Sequence, residues 1–207
     1  MKHFIIESNI GGGKTTLLEL LSKNKKYETI LEPVNIWRNI IDENGVNLLD
    51  HYYKDMNSAS YMFQSMVFIT RLQAISIPQE KQIRFEERSI MTDKHVFGKL
   101  CIENENMTGI QKACYSYWYN WLSSEYNNKP DGIIYMRNTP EKCLERIKKR
   151  ARSEEETIPL KYLKQLNQYH DEWLLNEKEI PICVIDNNKD DDWDNVIKQI
   201  EEFIKSH

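Results

Sequence analysis

Short apolar runs rich in β-branched residues alternate along the chain with longer stretches in which apolar positions recur every three or four residues. The short runs predict strands over His3–Ser8, Glu28–Glu32, Ile83–Glu87, Gly132–Arg137 and Ile182–Asp186. The longer stretches predict helices near Lys14–Ser22, Ser58–Ile77, Thr92–Glu103, Thr108–Tyr126, Pro140–Arg152, Lys161–Glu177 and Trp193–Lys205. Thr139–Pro140 is a good helix start, a hydroxyl cap followed by a proline where no N–H is needed. The strands read as continuous apolar runs, the mark of a sheet covered on both faces. Strands joined by helical crossovers predict an α/β fold with a five-stranded parallel sheet flanked by helices. The binding crevice is expected at the carboxyl ends of the strands. With no internal repeat and no long Gly/Ser/Pro linker, residues 1–207 read as one domain. Ser153–Thr157 (SEEET) is too short for a linker and reads as a mobile flap.

Composition narrows the class. Apolar residues make up 40% of the 207, enough for a real core, and no apolar run approaches the ~18 residues of a membrane span. A net charge of -4 argues against non-specific nucleic-acid binding, which needs a basic surface. Neither nucleic acid nor membrane is therefore expected as a partner, and an anionic ligand must meet a local cluster of positive charge. Cys101, Cys114, Cys143 and Cys183 lie far apart without a CxxC pair and read as reduced core thiols. His3, His51, His95, His170 and His207 show no metal-ligand spacing and read as ordinary surface or helix residues. A strand beginning at residue 3 leaves no room for a targeting peptide, so a cytoplasmic location is expected.

The strongest local signal is Ser8-Asn9-Ile10-Gly11-Gly12-Gly13-Lys14-Thr15, between the first strand and the first helix. It matches GxxxxGK[ST] except that Ser8 holds the place of the first glycine. Glycines allow successive backbone N–H groups, from Asn9 to Thr16, to point at phosphates, and the helix N-terminus adds its dipole. Lys14 is expected to reach the β- and γ-phosphates of ATP or another nucleoside triphosphate, and the Thr15 hydroxyl to ligate Mg²⁺. Ser8 must fit a side chain into a tight turn and is expected to be tolerated. Such a loop serves kinases, GTPases and motor ATPases alike.

Three further segments bear on the reaction. Glu32, read as ending the second strand, can accept the proton of a hydroxyl nucleophile or can be a solvated turn residue. Glu86, Glu87, Arg88 and Ser89 close the third strand, where acid beside base suits Mg²⁺ and a transferred phosphoryl, or a structural ion pair. Arg146 and Arg150 are one helical turn apart, so like charges repel unless an anion lies between them. Guanidinium groups around a metaphosphate-like transition state would explain that spacing, and so would a solvated basic face. Next to SEEET, the segment from about 146 to 157, including Arg152, reads as an Arg-rich lid.

Together, NIGGGKTT, EPVNIW, NGVNLLDHYYKD, FQSMV, ERS and RARSEEETIPLKYL closely resemble the deoxyribonucleoside kinase family, through nearly the whole chain. The resemblance implies a P-loop kinase fold, a homodimer, and transfer of a γ-phosphate to a deoxynucleoside 5′-hydroxyl in nucleotide salvage. It implies Glu32 as general base with Arg88 beside it, Thr15 and Glu87 as Mg²⁺ neighbours, and Tyr53 with Glu155 on the sugar 3′-hydroxyl. Gln64 resembles the residue that pairs with the base edge, an amide offering donor and acceptor in one plane. Phe63 and Phe97 resemble aromatic walls, with Trp37 at the pocket's side. Arg71 and Asp93 fall where the deoxycytidine and deoxyguanosine enzymes of that family carry the same pair, which implies deoxycytidine or a purine deoxynucleoside as acceptor. A salt bridge serving structure alone is the other reading of that pair. Val67, bulkier than the alanine common in those relatives, narrows the pocket against purines. Thymidine-preferring or broad-specificity kinases are the alternative. A nucleoside monophosphate kinase ranks lower because Glu32 would repel an acceptor phosphate by several kcal/mol at about 4 Å. A regulatory subunit that binds nucleotide without catalysis is disfavoured by the presence of Lys14, Glu32, Arg88 and the lid arginines.

Overall fold

The computed structural model describes residues 1–125, 129–190 and 192–207. Among them, β1 (Lys2–Glu7), β2 (Tyr27–Ile30), β3 (Ile83–Glu87), β4 (Gly132–Arg137) and β5 (Ile182–Asp186) form one parallel sheet in the order β2-β3-β1-β4-β5. The chain works along one side of β1 and then the other, so a crevice opens at its carboxyl end. Register sharpens this: Ile6 pairs with Glu87, placing the exits of β1 and β3 side by side.

Alternation along β1 explains its unbroken apolar run. Phe4 and Ile6 pack with Leu17 and Leu18 of α1 (Lys14–Leu21) and with Val196, Ile200 and Ile204 of α10 (Trp193–Ser206). Ile5 faces the other layer, built from α4 (Met56–Ile75), α7 (Gly109–Glu125), α8 (Pro140–Arg150) and α9 (Leu160–Leu174). Phe4, Ile5 and Ile6 are each at most 1% exposed, as burial on both faces requires.

β3, β4 and β5 occupy the predicted ranges. β2 is shorter: it ends at Ile30, so Glu32 stands beyond the strand and not at its last position. Pro33 has no N–H for a ladder, and the Glu32 N–H turns to Glu87 Oε2 at 3.3 Å. Two short helices lacked a periodic signal, α2 (Val34–Asn39) and α3 (Leu48–Lys54), the second capped by the Asn47 side chain. α4 begins two residues before the predicted start, where Asp55 caps the N–H groups of Asn57 and Ser58. The helix predicted over Thr92–Glu103 is three pieces: α5 (Ile90–Thr92), a π-helical turn Asp93–Phe97 and α6 (Gly98–Glu103). α8 stops at Arg150 because Ala151 turns left-handed at φ 52°, which carries Arg152 off the helix. The predicted end of α7 at Tyr126 lies outside the described residues.

One expectation fails on burial. SEEET is a 3₁₀ turn (Ser153–Glu155) whose Glu154 accepts from Arg38 at 2.7 Å and Asn47 at 2.9 Å, a tied segment where a mobile flap was expected. His170, expected as an ordinary surface or helix position, is on α9 but wholly buried. Among the described residues no disulfide forms, though only Cys101 and Cys143 are core thiols while Cys114 and Cys183 are partly exposed, and no helix is long and apolar enough to cross a membrane.

Candidate active site

The loop between β1 and α1 is shaped by backbone and held from behind. Gly13 caps α1 at φ 89°, a conformation costly for any side chain. Gly12 is fixed by Ser8: a Cβ at Gly12 would lie 1.8 Å from the Ser8 hydroxyl oxygen. That hydroxyl donates to the Met136 carbonyl at 2.6 Å, so the serine is absorbed by the end of β4. Asn138 Nδ2 donates to the Asn187 carbonyl at 2.6 Å, and Asn187 Nδ2 to the Gly12 carbonyl at 3.0 Å, tying the loop to the exits of β4 and β5. The Asn9 side chain faces inward, on the Leu163 carbonyl and the Ile10 N–H. Lys14 is buried and donates to the Ser8 and Asn9 carbonyls at 3.3 and 3.1 Å. Burial lowers its ammonium to about 8 against the pull of Glu87 and Glu32. Thr15 Oγ1 lies 3.3–3.4 Å from both Glu87 carboxylate oxygens. A hydroxyl and a carboxylate beside a phosphate loop are the hard oxygen donors that Mg²⁺ takes, with waters and phosphates completing its shell.

Across the cavity stands a buried cluster of alternating charge. Arg88 Nη1 donates to the two Glu32 oxygens at 2.9 and 2.7 Å, and Arg71 Nη2 donates to Glu32 Oε1 at 3.2 Å. Arg71 Nε donates to Asp93 Oδ2 at 2.7 Å. Burial alone would raise Glu32, but Arg88, Arg71 and Lys14 outweigh it and hold the carboxylate at about 2. At Asp93 burial wins over Arg71 and lifts the carboxyl to about 6. Arg88 sits at φ 62°, left-handed for a bulky residue, at a cost on the order of 1–2 kcal/mol. Its guanidinium lies 4.7 Å over the Phe97 ring. The strand alternation of β3 separates its two acids: Glu87 faces Thr15, while Glu86 meets His3 Nε2 at 3.0 Å.

One cavity of about 740 Å³ is lined by the sequence-predicted site residues other than Ser8, Asn9, Glu86 and Ser89. It joins Ile10–Thr16 to Glu32, Trp37, Tyr53, Phe63, Gln64, Val67, Arg71, Glu87, Arg88, Asp93, Phe97, Arg146, Arg150, Arg152 and Glu155. Phe63 stacks on Tyr52 with centroids 4.4 Å apart and meets Trp37 edge-on at 5.2 Å. Gln64 is 1% exposed with Oε1 unpartnered, so a buried acceptor awaits a donor. The lid arginines are anchored within the chain: Arg146 on Asp190 at 2.9 Å and on the Asn187 carbonyl at 3.0 Å, Arg150 and Arg152 on Glu155. Arg146 Nη1 is buried without a partner. Sequence reasoning missed Leu49 and Tyr52 as site residues, and both line the cavity. Tyr52 was visible as the first tyrosine of HYYKD, but its stacking on Phe63 was not.

A phosphate loop at the switch point of a parallel sheet, opening on a cavity with a buried carboxylate–guanidinium cluster, defines a P-loop phosphotransferase. The model of the deoxynucleoside kinase family matches residues 4–205, and the chain belongs to that family. The chain is 35% identical to deoxycytidine kinase 2 of Gallus gallus, over all of this chain and 91% of the relative. It is 31% identical to the deoxycytidine kinase of Homo sapiens, over all of this chain and 92% of the relative. Against mitochondrial thymidine kinase 2 of Homo sapiens identity is 34%, over 86% of this chain and 66% of the relative. The protein is thus a deoxynucleoside kinase, with nucleoside and nucleotide substrates.

Proposed function

We propose that the whole chain acts as one kinase domain moving the γ-phosphoryl of ATP, or of another nucleoside triphosphate, to the 5′-hydroxyl of a deoxynucleoside. Deoxycytidine or a purine deoxynucleoside is the favoured acceptor in this reading. What carries it is the shared cavity: Lys14 and Glu32 line the same space, and Glu32 is kept ionised by two guanidinium groups. A carboxylate near pKa 2 is a weak base, so Glu32 acts chiefly by accepting a hydrogen bond from the 5′-hydroxyl and orienting it. That suffices for a loose transition state, in which the proton leaves late and little push is required.

Lys14 and the loop N–H groups hold the β- and γ-phosphates, while Arg88, Arg146, Arg150 and Arg152 gather on the equatorial oxygens as charge develops. Arg146 has an unmet donor ready for that, and its partner Asp190 is exposed, so exchange for phosphate costs little. Bound between Thr15 and Glu87, Mg²⁺ would offset the charge of the phosphates. On the acceptor side Tyr53 and Glu155 take the 3′-hydroxyl, Gln64 takes the base edge, and Phe97, Phe63 and Trp37 enclose the ring. Asp93, close to Arg71, favours an exocyclic amino group, and Val67 limits the space for purines. Exposed Met62 and Ile69 on α4 with Ile110, Tyr117 and Trp118 on α7 supply an apolar face for a homodimer. A role in nucleotide salvage in the cytoplasm completes the proposal.

The test is phosphorylation of the four natural deoxynucleosides with ATP and Mg²⁺, ranked by kcat/KM, alongside the corresponding monophosphates. Thymidine ranked first overturns the base preference. Monophosphates ranked above nucleosides overturn the acceptor.

A further inference from the structure

Behind the Glu32–Arg88 pair lies a carboxyl that this mechanism does not use. Glu7, the last residue of β1, and His170, on α9, are both wholly buried. Glu7 Oε1 accepts from the Thr92 hydroxyl, and Thr92 Oγ1 in turn accepts from the Ser89 backbone N–H at 2.9 Å. Ser89 follows Arg88, the residue with left-handed backbone, whose own N–H donates to the Ile6 carbonyl at 3.1 Å. The bend that aims Arg88 at Glu32 is therefore gripped twice from β1, once by backbone and once through Glu7 and Thr92. Glu7 Oε2 has no hydrogen-bond partner and faces His170 Nε2, also without one, at 3.8 Å. His170 Nδ1 lies 2.8 Å from the Leu166 carbonyl, so its proton sits there and Nε2 presents a lone pair. A proton on Glu7 is the complement to that lone pair. The other charged groups acting on Glu7 are Arg88 after β3, Arg71 on α4 and Lys14 on α1.

We infer that Glu7, acting through the Thr92 hydroxyl, is a positioning residue for phosphoryl transfer: the Glu7–Thr92–Ser89 chain fixes the backbone at Arg88 and so keeps its guanidinium on Glu32. Burial supports an uncharged Glu7 below neutral pH, since it lifts the carboxyl to about 7 against Thr92 and the three cations. The inference rests on the proposed roles of Arg88 and Glu32.

Steady-state kinetics of Thr92→Val, Thr92→Ser and Glu7→Gln, each in the wild-type and in an Arg88→Lys background, test it. Valine keeps the shape and deletes the hydroxyl; glutamine still accepts from Thr92 and can donate to His170. Thr92→Val should lower kcat about 10-fold with donor KM within about 2-fold, because misplacement of a catalytic group acts on turnover. Thr92→Ser and Glu7→Gln should stay within about 3-fold of wild type, and Thr92→Val should add no further loss once Arg88 is lysine. Full turnover in Thr92→Val overturns the inference. So does equal loss in Thr92→Ser, which would assign the effect to the methyl group, or a loss that multiplies with Arg88→Lys. Undiminished turnover in Glu32→Gln would instead overturn the role of Glu32, so the two failures are read from different variants.

Discussion

The donor and acceptor ends of the cavity are built on opposite principles. At the donor end, consecutive residues from Ile10 to Thr16 line the cavity at the start of α1, with the buried Lys14 among them and Arg146, Arg150 and Arg152 of the lid on the same cavity. At the acceptor end, Glu32, Arg71, Arg88 and Asp93 come from separate segments and neutralise one another in the interior. The donor end is thus a shape enforced by sterics, the acceptor end a charge balance enforced by the fold. A substitution at the first should fail by collision and be cured by removing bulk. At the second it should fail by leaving an ion unmatched and be cured by removing its partner.

The largest effect should come from the carboxylate that faces both ends. Glu32→Gln keeps the size and removes the charge, so turnover should fall about 10²–10⁴-fold with donor affinity unchanged, measured by single-turnover kinetics and calorimetric titration of nucleotide. Next comes Arg71→Met, which leaves Asp93 without its ion-pair partner and should lower unfolding free energy by about 3–5 kcal/mol. Arg71→Met with Asp93→Leu should recover much of that in denaturant titration, since the second change removes the orphaned charge. No recovery would mean that the cluster is held by shape, and the contrast between the ends would be lost. At the donor end, Gly12→Ala should cost about 1–3 kcal/mol through collision with Ser8, and Ser8→Gly should relieve it in the double variant. If Ser8→Gly gives no relief, the Asn9 carbonyl, 3.0 Å from the same Cβ position, is the obstacle.

That contrast also explains what the sequence reveals. The donor end is legible because its chemistry is local: glycines, lysine and threonine at fixed spacing after an apolar run leave few other foldings. Three strands are legible to the residue: β3 and β4 are buried on both faces, and β5, at the sheet edge, still carries the apolar run ICVI. Glu32 was placed at a strand end because EPVNIW continues an extended-looking run, and only the lack of an N–H at Pro33 ends pairing earlier. α2 and α3 escaped because six or seven residues hold too few turns for a period to emerge. SEEET looked solvated because an acidic run usually is; its partners Arg38 and Asn47 lie more than a hundred residues upstream. Glu7 and His170 were invisible for the same reason, a strand-end acid and a helical histidine that only the packing of α9 against β1 brings together. The resemblance to a kinase family named Tyr53, Gln64, Phe97 and Glu155 together, which local pattern could not, and all four line the one cavity.

The last effect probes the strand-end carboxyl behind the Glu32–Arg88 pair, in contact with Thr92 and His170. Glu7 has its carboxyl raised from 4.5 to about 7, chiefly by burial, so between those values the folded chain binds more protons than the unfolded one. Its contribution to stability is therefore full below about pH 4.5 and lost as pH rises through about 7. His170 runs the other way: burial lowers it from 6.5 to about 3, so the folded chain gains stability as pH rises through that window. Over the shared interval the two one-proton slopes oppose each other, and the pair contributes little net pH dependence. Glutamine at position 7 deletes the first slope and keeps the second. The Tm of Glu7→Gln relative to wild type should thus climb between about pH 4.5 and 7, by an amount equivalent to about 2–3 kcal/mol, and level off toward pH 8. Thermal unfolding of both proteins at pH 5, 6, 7 and 8 reads this directly. A constant difference across the series would mean that Glu7 holds the same charge folded and unfolded, and that Lys14, Arg71 and Arg88 keep it ionised despite its burial.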